Sequence, residues 1–317
     1  MLTALTFAAA LVVGLVVTPL VRVFAHRRGL LDEPDGRKVH RVPIPRLGGI
    51  AMAIAFGVAI GGATLADPDL GSTLGLRPNR APAILAGVGL LLLLGIVDDV
   101  RGVRAMVKLV FQAAIAAIAW WAGLGIEQLF FPWGAVDLGP LSLPITVAWI
   151  VGVINAVNLI DGLDGLAAGV VLTILGAFGL LAAADGVDPT LYIVAATMGA
   201  AAGFLAYNLH PATILMGDTG SMVLGFVVAS VAISLTQDGV HPHAPWVPII
   251  ALGIPLLDTA WAIVRRTARG TPLFAPDREH IHHQLLRLGL DQRDAMLSLT
   301  AASAAFAVVA VLLGRLD

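Results

Sequence analysis

Long uncharged apolar runs, separated by short polar segments, dominate the hydrophobic pattern of this 317-residue chain. Ten runs approach the roughly 20 residues that a helix needs to cross the hydrocarbon core of a bilayer. They cover residues 2–21, 47–66, 81–97, 109–124, 141–157, 165–184, 191–207, 220–235, 244–264 and 295–313. Because backbone polar groups in lipid need partners within their own segment, and barrel strands are shorter, the runs predict helices. The pattern predicts an all-α, polytopic integral membrane protein with about ten transmembrane helices, and 1–317 as a single membrane-embedded domain.

The composition supports a membrane protein over a water-soluble enzyme. Hydrophobic residues make up 58% of the chain and charged residues 13%, where an ordinary soluble domain has about 25% charged residues. The net charge of -2 gives no general attraction to nucleic acid, so we expect no nucleic-acid partner. The chain has no cysteine, which excludes disulfides, thiolate catalysis and cysteine metal sites.

The Lys and Arg residues are distributed unevenly between the two sets of connections. Sixteen of the nineteen fall on one side if the runs alternate in direction. The positive-inside rule makes this side cytoplasmic and places both termini outside the cytoplasm. The first run has arginines after it rather than before it, which favours a retained helix over a signal peptide. The outer connection 125–140 contains glycines, prolines and alternating apolar residues, which predicts a small hairpin lying on the membrane.

Five aspartates lie at or inside predicted helix ends on the base-rich side. They are Asp98, Asp99, Asp161, Asp164 and Asp218. Each carboxylate left in hydrocarbon costs about 3 kcal/mol, so the five must face water, cations or each other. Oxygen ligands without cysteine suit Mg²⁺, or Mn²⁺. For any single aspartate, capping of a helix end is an equally good explanation.

Two of these aspartates continue a polar stripe that begins with two asparagines. Asn155, Asn158, Asp161 and Asp164 recur at every third position, so a helix would place them on one face. Such a stripe in an apolar segment is costly unless it binds something. Asp258, within the ninth run, is different, because an ion pair with an arginine explains it as well as catalysis does.

Two basic segments on the same side suit phosphate. The first contains Arg37, Lys38, His40, Arg41 and Arg46, although topology-determining charge alone also explains it. The second places three histidines beside Asp277 and Arg278; they are His280, His282 and His283. The many carboxylates favour Mg²⁺ over zinc, which leaves the histidines free to bind phosphate oxygens.

Together these groups predict a cytoplasmic active site at the membrane that transfers a phosphoryl group between a soluble nucleotide and a lipid. Such chemistry relies on positioning and charge stabilisation more than on a covalent nucleophile. The chain has no GxxxxGK[ST] motif and no GxGxxG after a strand, which disfavours the common soluble nucleotide-binding folds.

Five segments on the predicted cytoplasmic side carry a family resemblance. They are RKVHRVPIPRLGG, DDVRGVRAMVKLVFQ, NAVNLIDGLDGLAAG, NLHPATILMGDTGSMVLG and PLLDTAWAIVRRTARGTPLFAPDREHIHHQLLRLG. In this order they resemble the polyprenyl-phosphate N-acetylhexosamine-1-phosphate transferases, which are glycosyltransferases of the family 4 type. The resemblance implies a Mg²⁺-dependent, multi-pass enzyme of the bacterial cell membrane. Such an enzyme moves a phosphosugar from a UDP-sugar donor to a polyprenyl phosphate acceptor and releases UMP, as the first membrane step of a cell-envelope glycan or glycolipid pathway.

The resemblance also implies roles for single positions. It implies Asp218 as the principal Mg²⁺ ligand, with Asp99 and Asn158 as further metal ligands. One of Asp98 and Asp99 would accept the proton of the lipid phosphate or arrange it for attack. The other catalytic positions implied are Asp161, Asp164, His280, His282 and His283. The substrate-binding positions implied are Lys38, His40, Arg46, Asn155, Asn158 and Asn208. Direct attack, a covalent enzyme intermediate and a homodimer are all left open.

Further sequence details concern the identity of the UDP-sugar donor. The HIHH sequence around Ile281 is similar to the N-acetylglucosamine-type members rather than to phospho-N-acetylmuramoyl-pentapeptide transferase, so we expect UDP-N-acetylglucosamine. Gly102 departs from the family pattern because it stands where relatives have a third acid, and Leu215 because it stands where many have an aromatic residue. Ten predicted helices are also one fewer than expected for that group. A changed base contact or sugar preference is therefore open.

Three alternatives are weighed against this interpretation. The pentapeptide transferase itself is the nearest. An intramembrane prenyltransferase also uses aspartate-rich motifs, which NLIDGLD resembles superficially, and a transporter would explain the acids as a cation path. The last two leave the Asp218 segment together with the HIHH segment unexplained, so both are less favoured.

Overall fold

The computed structural model describes residues 1–34, 42–67, 80–184, 190–237, 243–272 and 279–316. Within these ranges the chain forms twelve α-helices and two small antiparallel sheets. The helices are α1 (Leu2–Arg27), α2 (Gly48–Ala66), α3 (Arg80–Arg101), α4 (Ala105–Trp121), α5 (Ser142–Ile160), α6 (Leu166–Ala184), α7 (Thr190–Asn208), α8 (Gly217–Gln237), α9 (Trp246–Ala251), α10 (Gly253–Ala268), α11 (Ile281–Arg287) and α12 (Gln292–Gly314). The strands are β1 (Leu31–Asp32), β2 (Ile44–Pro45), β3 (Gln128–Phe131) and β4 (Gly134–Asp137).

The helices confirm the all-α, polytopic prediction. Each of the ten apolar runs coincides with helix, and eight helices of the described residues are long and apolar enough to cross a membrane. These eight are α1, α2, α3, α5, α6, α7, α8 and α12. α4 is a shorter apolar helix, and the ninth run is divided between α9 and α10. The location of both termini outside the cytoplasm stays a prediction.

The division of the ninth run has a local cause. Leu252 separates α9 from α10 and lies three residues before Pro255. Proline has no amide hydrogen, and its ring clashes with the carbonyl four residues earlier, here that of Ala251. The regular hydrogen bonding therefore stops at this point and begins again in α10, the helix that carries Asp258.

α8 is the central helix of the bundle. Its membrane-spanning window is completely buried in the protein, and α2, α3, α5, α6 and α7 all pack against it. A helix that is apolar around its whole circumference is expected in such a position. Several of its buried hydroxyl groups donate to carbonyls one turn earlier in the same helix; for example, Ser230 Oγ donates to the carbonyl of Phe226 at 2.7 Å.

One end of the bundle collects the polar residues. The aspartate pair ends α3, the amide stripe ends α5, Asn208 ends α7, and Asp218 begins α8. The β1–β2 pair lies against this end, because Leu215 N–H donates to the Pro45 carbonyl at 2.8 Å. The fold therefore gathers at one end the helix ends that the sequence assigns to the cytoplasmic side.

The predicted hairpin in 125–140 is present. β3 and β4 pair antiparallel, with Phe131 opposite Gly134. Gln237, the last residue of α8, clamps the hairpin: its Oε1 accepts from the backbone N–H groups of Glu127 and Gln128 at 2.9 and 3.1 Å. The hairpin is thus fixed at the opposite end of α8 from Asp218.

Candidate active site

A cleft of about 420 Å³ opens at the polar end of the bundle. Nine of the site residues inferred from the sequence line it: Arg46, Asp98, Asp99, Asn158, Asp161, Asp164, Asn208, Asp218 and His283. They come from six separate parts of the chain. The folding of the bundle therefore brings together most of the residues that the motifs singled out.

An ammonium group lies between two carboxylates at the centre of this set. Lys108 Nζ donates to Asp98 Oδ2 at 2.7 Å and also to Asp218 Oδ2. Asp98 belongs to the last turn of α3, Lys108 to the first turn of α4, and Asp218 to the first turn of α8. This arrangement offsets the charges of both carboxylates and holds three helix ends together.

The turn between α3 and α4 depends on Gly102. Its φ of 70° lies in the left-handed region, which favours glycine. The turn allows Val103 N–H to reach back to Asp98 Oδ1. The glycine that replaces the third acid of the family pattern thus closes the turn that fixes Asp98.

Asp99 points in a different direction from Asp98. Its Oδ1 accepts from the backbone N–H of Asp218 at 3.0 Å, and its Oδ2 accepts from the backbone N–H of Thr219 at 3.0 Å. Free N–H groups at a helix start need such acceptors, and a negative charge there is favourable. Asp99 therefore caps the N-terminus of α8 from the neighbouring helix α3.

Asn158 supports Asp218 from α5. Its Nδ2 donates to Asp218 Oδ1 and to Ser221 Oγ, both at 2.8 Å. Asn158 and Lys108 therefore hold different oxygens of the same carboxylate. The carboxylate of Asp218 is thus held through both of its oxygens.

Asp161 lies beside three other carboxylates in the turn after α5. Burial first, and then the charges of Asp218, Asp99 and Asp164, raises the pKa of Asp161 to about 8. A raised carboxyl pKa means that folding stability falls as the pH rises from about 4 through about 8, because the ionised form is disfavoured in the fold. A bound cation would relieve this cost.

Asp164 and Asn208 hold the loop after α7. Asp164 Oδ2 accepts from the Ala212 backbone N–H at 3.0 Å and from His210 Nδ1 at 2.8 Å. Asn208 Oδ1 accepts from Gly165 N–H at 3.0 Å, while its Nδ2 donates to the Ile214 carbonyl at 2.9 Å. Both residues line the cleft, but their side chains are committed to shaping its wall.

Asn155 does not line the cleft. Its Nδ2 donates to Gln112 Oε1 at 2.7 Å, and Gln112 Nε2 in turn donates to Met222 Sδ. This chain of contacts joins α5, α4 and α8 below the cleft. The structure therefore gives Asn155 a place between helices, away from the cleft wall where the sequence expectation put it.

The three histidines occupy three environments. His283 lines the cleft. His282 is 2% exposed, and burial, followed by the neighbouring histidines, lowers its pKa to about 3. His280 is also buried, and its Nδ1 lies 2.9 Å from Asp258 Oδ2. The partner observed for Asp258 is thus a histidine, where the sequence suggested an arginine.

Arg46 stands at the rim of the cleft and pairs with Asp32. Asp32 lies on β1, opposite Ile44 of β2, and Arg46 directly follows β2. Lys38 and His40, as well as Asp277 and Arg278, lie outside the described residues.

Three residues of the site are not identified by the sequence motifs. They are Lys108, which contacts two cleft carboxylates, and Asp32 and Gln292, which line the cleft. A signal for Lys108 is present, because it is a base at the start of an apolar run, nine residues after Asp99. No comparable signal distinguishes Gln292.

The donor set of the cleft fits a hard divalent cation. Carboxylates and an amide converge on it, and the Lys108 ammonium already makes cation-type contacts to two of the carboxylates. The described residues contain no ready-made cluster of three His, Cys, Asp or Glu side chains at metal-binding distances. A cation that binds Asp218 would therefore have to displace the Lys108 ammonium group from this carboxylate.

Comparisons with known proteins give a matching family model and several similar proteins. Residues 81–236 match the family model described as glycosyl transferase family 4. The chain is 38% identical over 313 residues to the "Probable undecaprenyl-phosphate N-acetylglucosaminyl 1-phosphate transferase" of Bacillus subtilis, covering 97% of this chain and 84% of that protein. It is 35% identical to the decaprenyl-phosphate N-acetylglucosaminephosphotransferase of Mycolicibacterium smegmatis, covering 91% and 76% of the two chains. It is 30% identical to the undecaprenyl-phosphate alpha-N-acetylglucosaminyl 1-phosphate transferase of Escherichia coli K12, covering 92% and 78%.

Proposed function

Because the chain belongs to glycosyl transferase family 4, we propose that it transfers N-acetylglucosamine 1-phosphate from UDP-N-acetylglucosamine to a polyprenyl phosphate. Its relatives in three bacterial genera are described as N-acetylglucosamine-1-phosphate transferases that use undecaprenyl or decaprenyl phosphate, which supports the transferred group and the class of acceptor. The protein is a multi-pass bacterial membrane protein. The observation that carries the proposal is the Asp98, Lys108 and Asp218 cluster in a cleft at the end of a membrane bundle.

The reaction exchanges one phosphoanhydride bond for another. An oxygen of the lipid phosphate attacks the phosphorus that carries the sugar. The bond from this phosphorus to the oxygen that bridges to the uridine phosphate breaks, and UMP leaves with that oxygen. The products are UMP and a polyprenyl diphosphate sugar. The enzyme must therefore neutralise a diphosphate and align two anions that repel each other.

The cleft contains groups suited to both tasks. We assign acceptance of the proton of the lipid phosphate to Asp98, because its Oδ2 contacts the Lys108 ammonium group, a cation suited to phosphate, whereas Asp99 is held against the N-terminus of α8. Lys108 and Arg46 supply positive charge for the diphosphate, and His283, which lines the cleft, supplies a further hydrogen-bond donor. Asn158 and Asp161 face the cleft where the nucleotide or metal is expected.

We propose that Mg²⁺ is held by Asp218 with help from Asn158 and Asp161, and that Mn²⁺ can replace it. Hard oxygen ligands at two helix ends, the C-terminus of α5 and the N-terminus of α8, support this assignment. When bound, the cation supplies charge neutralisation for the phosphates. Asp99 supports the site by fixing the backbone of Asp218, and its own oxygens are used for that purpose.

The direct test is turnover by the purified full-length protein. With Mg²⁺, undecaprenyl phosphate and UDP-N-acetylglucosamine, we expect UMP release and a lipid-linked sugar. A donor panel should vary the sugar and the base separately, and it should include UDP-N-acetylmuramoyl-pentapeptide. The Asp218→Asn variant is the matched negative control. Absence of UMP release with every UDP-sugar would reject the proposal, and preference for the pentapeptide donor would favour the nearest alternative.

A homodimer stays a prediction. Its test is the mass of the purified protein in detergent, after correction for bound detergent. A monomeric mass with full turnover would show that each chain carries a complete site.

A further inference from the structure

Asp258 is a buried aspartate on α10 that the proposed reaction does not use. It is 6% exposed. Its Oδ2 accepts from His280 Nδ1 at 2.9 Å, and its Oδ1 accepts from the Ile281 backbone N–H at 2.8 Å. Both carboxylate oxygens therefore bind the beginning of the HIHH segment, where α11 starts.

This contact selects one tautomer of His280. An ionised carboxylate only accepts hydrogen bonds, so the hydrogen of the pair is on Nδ1. In the neutral ring, Nε2 then carries the lone pair. His280 is 5% exposed, so little water competes with Asp258 for this hydrogen bond.

Contacts continue from His280 to the cleft. The rings of His280 and His282 lie parallel, with centroids 5.9 Å apart, and His282 contacts His283 with centroids 4.3 Å apart. His282 also presses on Gly162, where a Cβ atom would lie 2.3 Å from its Nε2. Gly162 belongs to the turn between Asp161 and Asp164. Through these ring contacts, the hydrogen bonds of Asp258 to the HIHH segment are linked to His283 and to the turn that carries two cleft carboxylates.

A second anchor of the same segment provides a control. Glu279 precedes His280 and pairs with Arg265 at 3.1 Å and with Arg269 at 2.7 Å. These ion pairs join the segment to Arg265 of α10 and to Arg269 just after it. Removing them tests attachment of the segment alone.

We propose that Asp258 is a positioning residue for the transfer reaction. It holds His280 in the Nδ1–H form and fixes the start of α11, and so presents His283 and the 161–164 turn to the substrates. The kinetic part of this inference rests on the proposed function; the tautomer of His280 does not.

The test compares Asp258→Asn with Glu279→Gln in the full-length protein. Because the Ile281 N–H requires the amide oxygen of the asparagine, its Nδ2 faces His280 Nδ1 and donates there, which favours the opposite tautomer. With ¹⁵N-labelled histidine, and His280 assigned from the His280→Gln variant, we expect the Nδ1–H form in the wild type and its loss in Asp258→Asn. We expect kcat for UMP release to fall about 10- to 100-fold, as for other residues that orient a functional histidine. Glu279→Gln should keep the His280 signal and keep kcat within about two-fold.

The double variant Asp258→Asn/His280→Gln distinguishes positioning from general damage. If Asp258 acts through His280, the double variant should be no slower than His280→Gln alone. Multiplied losses, an unchanged His280 signal in Asp258→Asn, or unchanged kcat would overturn the inference. If Asp258→Asn does not fold, Asp258→Glu replaces it, and this carboxylate should keep the Nδ1–H signal. A wild type that releases no UMP from any donor would reject the proposed function, while the nitrogen signals would still decide whether Asp258 sets the tautomer.

Discussion

At the scale of single residues, the aspartate pair shows how neighbours in sequence acquire different tasks. Consecutive side chains on a helix point about 100° apart. Asp98 consequently faces Lys108 and the cleft, while Asp99 faces the first backbone N–H groups of α8. The pair is stable as two adjacent charges because one is matched by an ammonium group and the other by a helix N-terminus.

Because Asp98 and Asp99 have different partners, we expect their substitutions to affect turnover and stability differently. Asp98→Asn should reduce UMP release at least about 100-fold, because the proton acceptor is lost. Asp99→Asn leaves one capping oxygen and should cost about 1 kcal/mol of stability, seen as a lower melting temperature, with a smaller loss of turnover. Paired thermal-shift and turnover measurements check this. An equal loss of turnover in both variants would contradict the separation.

The position of Lys108 predicts competition with a divalent cation. Lys108→Met removes the ammonium group from Asp218, so Mn²⁺ measured by electron paramagnetic resonance should bind at least several-fold more tightly, because two charges at contact interact by a few kcal/mol near a protein surface. Turnover should nevertheless fall, because a positive charge for the diphosphate is lost. Arg104→Met, on the same connection but exposed, is the matched control. Unchanged or weaker Mn²⁺ affinity would contradict the competition.

At the scale of helices and strands, apolar length made the spans predictable, whereas side-chain partners were not. The ten runs coincide with helices because lipid leaves few alternatives for such sequence. The contact of Asn155 with Gln112 depends on the rotation of α5 and α4 about their axes. The pairing of Asp258 with His280 depends on how a later segment folds back. Motif order located the site, but only packing assigned these partners.

The hairpin gives a prediction for a single element. Gln237→Ala removes the acceptor of two backbone N–H groups at the start of the hairpin. We expect faster hydrogen exchange at Glu127 and Gln128, because unmet donors open the local structure more often. Turnover should stay within about two-fold, since the cleft lies at the other end of α8. Unchanged exchange at both amides would show that the clamp does not hold the hairpin.

At the scale of the whole molecule, the bundle is asymmetric between its ends. One end holds the cleft and its charges, and the other holds the hairpin, where the rings of Phe131, Trp133 and Trp246 cluster. Aromatic groups of this kind are typical of the membrane–water interface. The asymmetry agrees with the charge bias of the sequence, which predicts that the cleft end is cytoplasmic.

The absence of cysteine makes this orientation directly testable. Single variants Trp133→Cys and Arg104→Cys place a thiol on the exposed hairpin and on the exposed turn after α3. In intact cells, a membrane-impermeant maleimide should label only Trp133→Cys. Arg104→Cys should react after permeabilisation. The reverse pattern would invert the topology.

The enclosure of α8 has a consequence for how the protein senses its bilayer. Since its membrane-spanning window has no lipid-facing side, a thicker or thinner membrane acts first on the peripheral helices, which can tilt to match it. Asp218, at the start of α8, is thereby shielded from hydrophobic mismatch. The acid that begins α8 can therefore keep its place in the bundle while the peripheral helices adjust to lipids of different acyl-chain length.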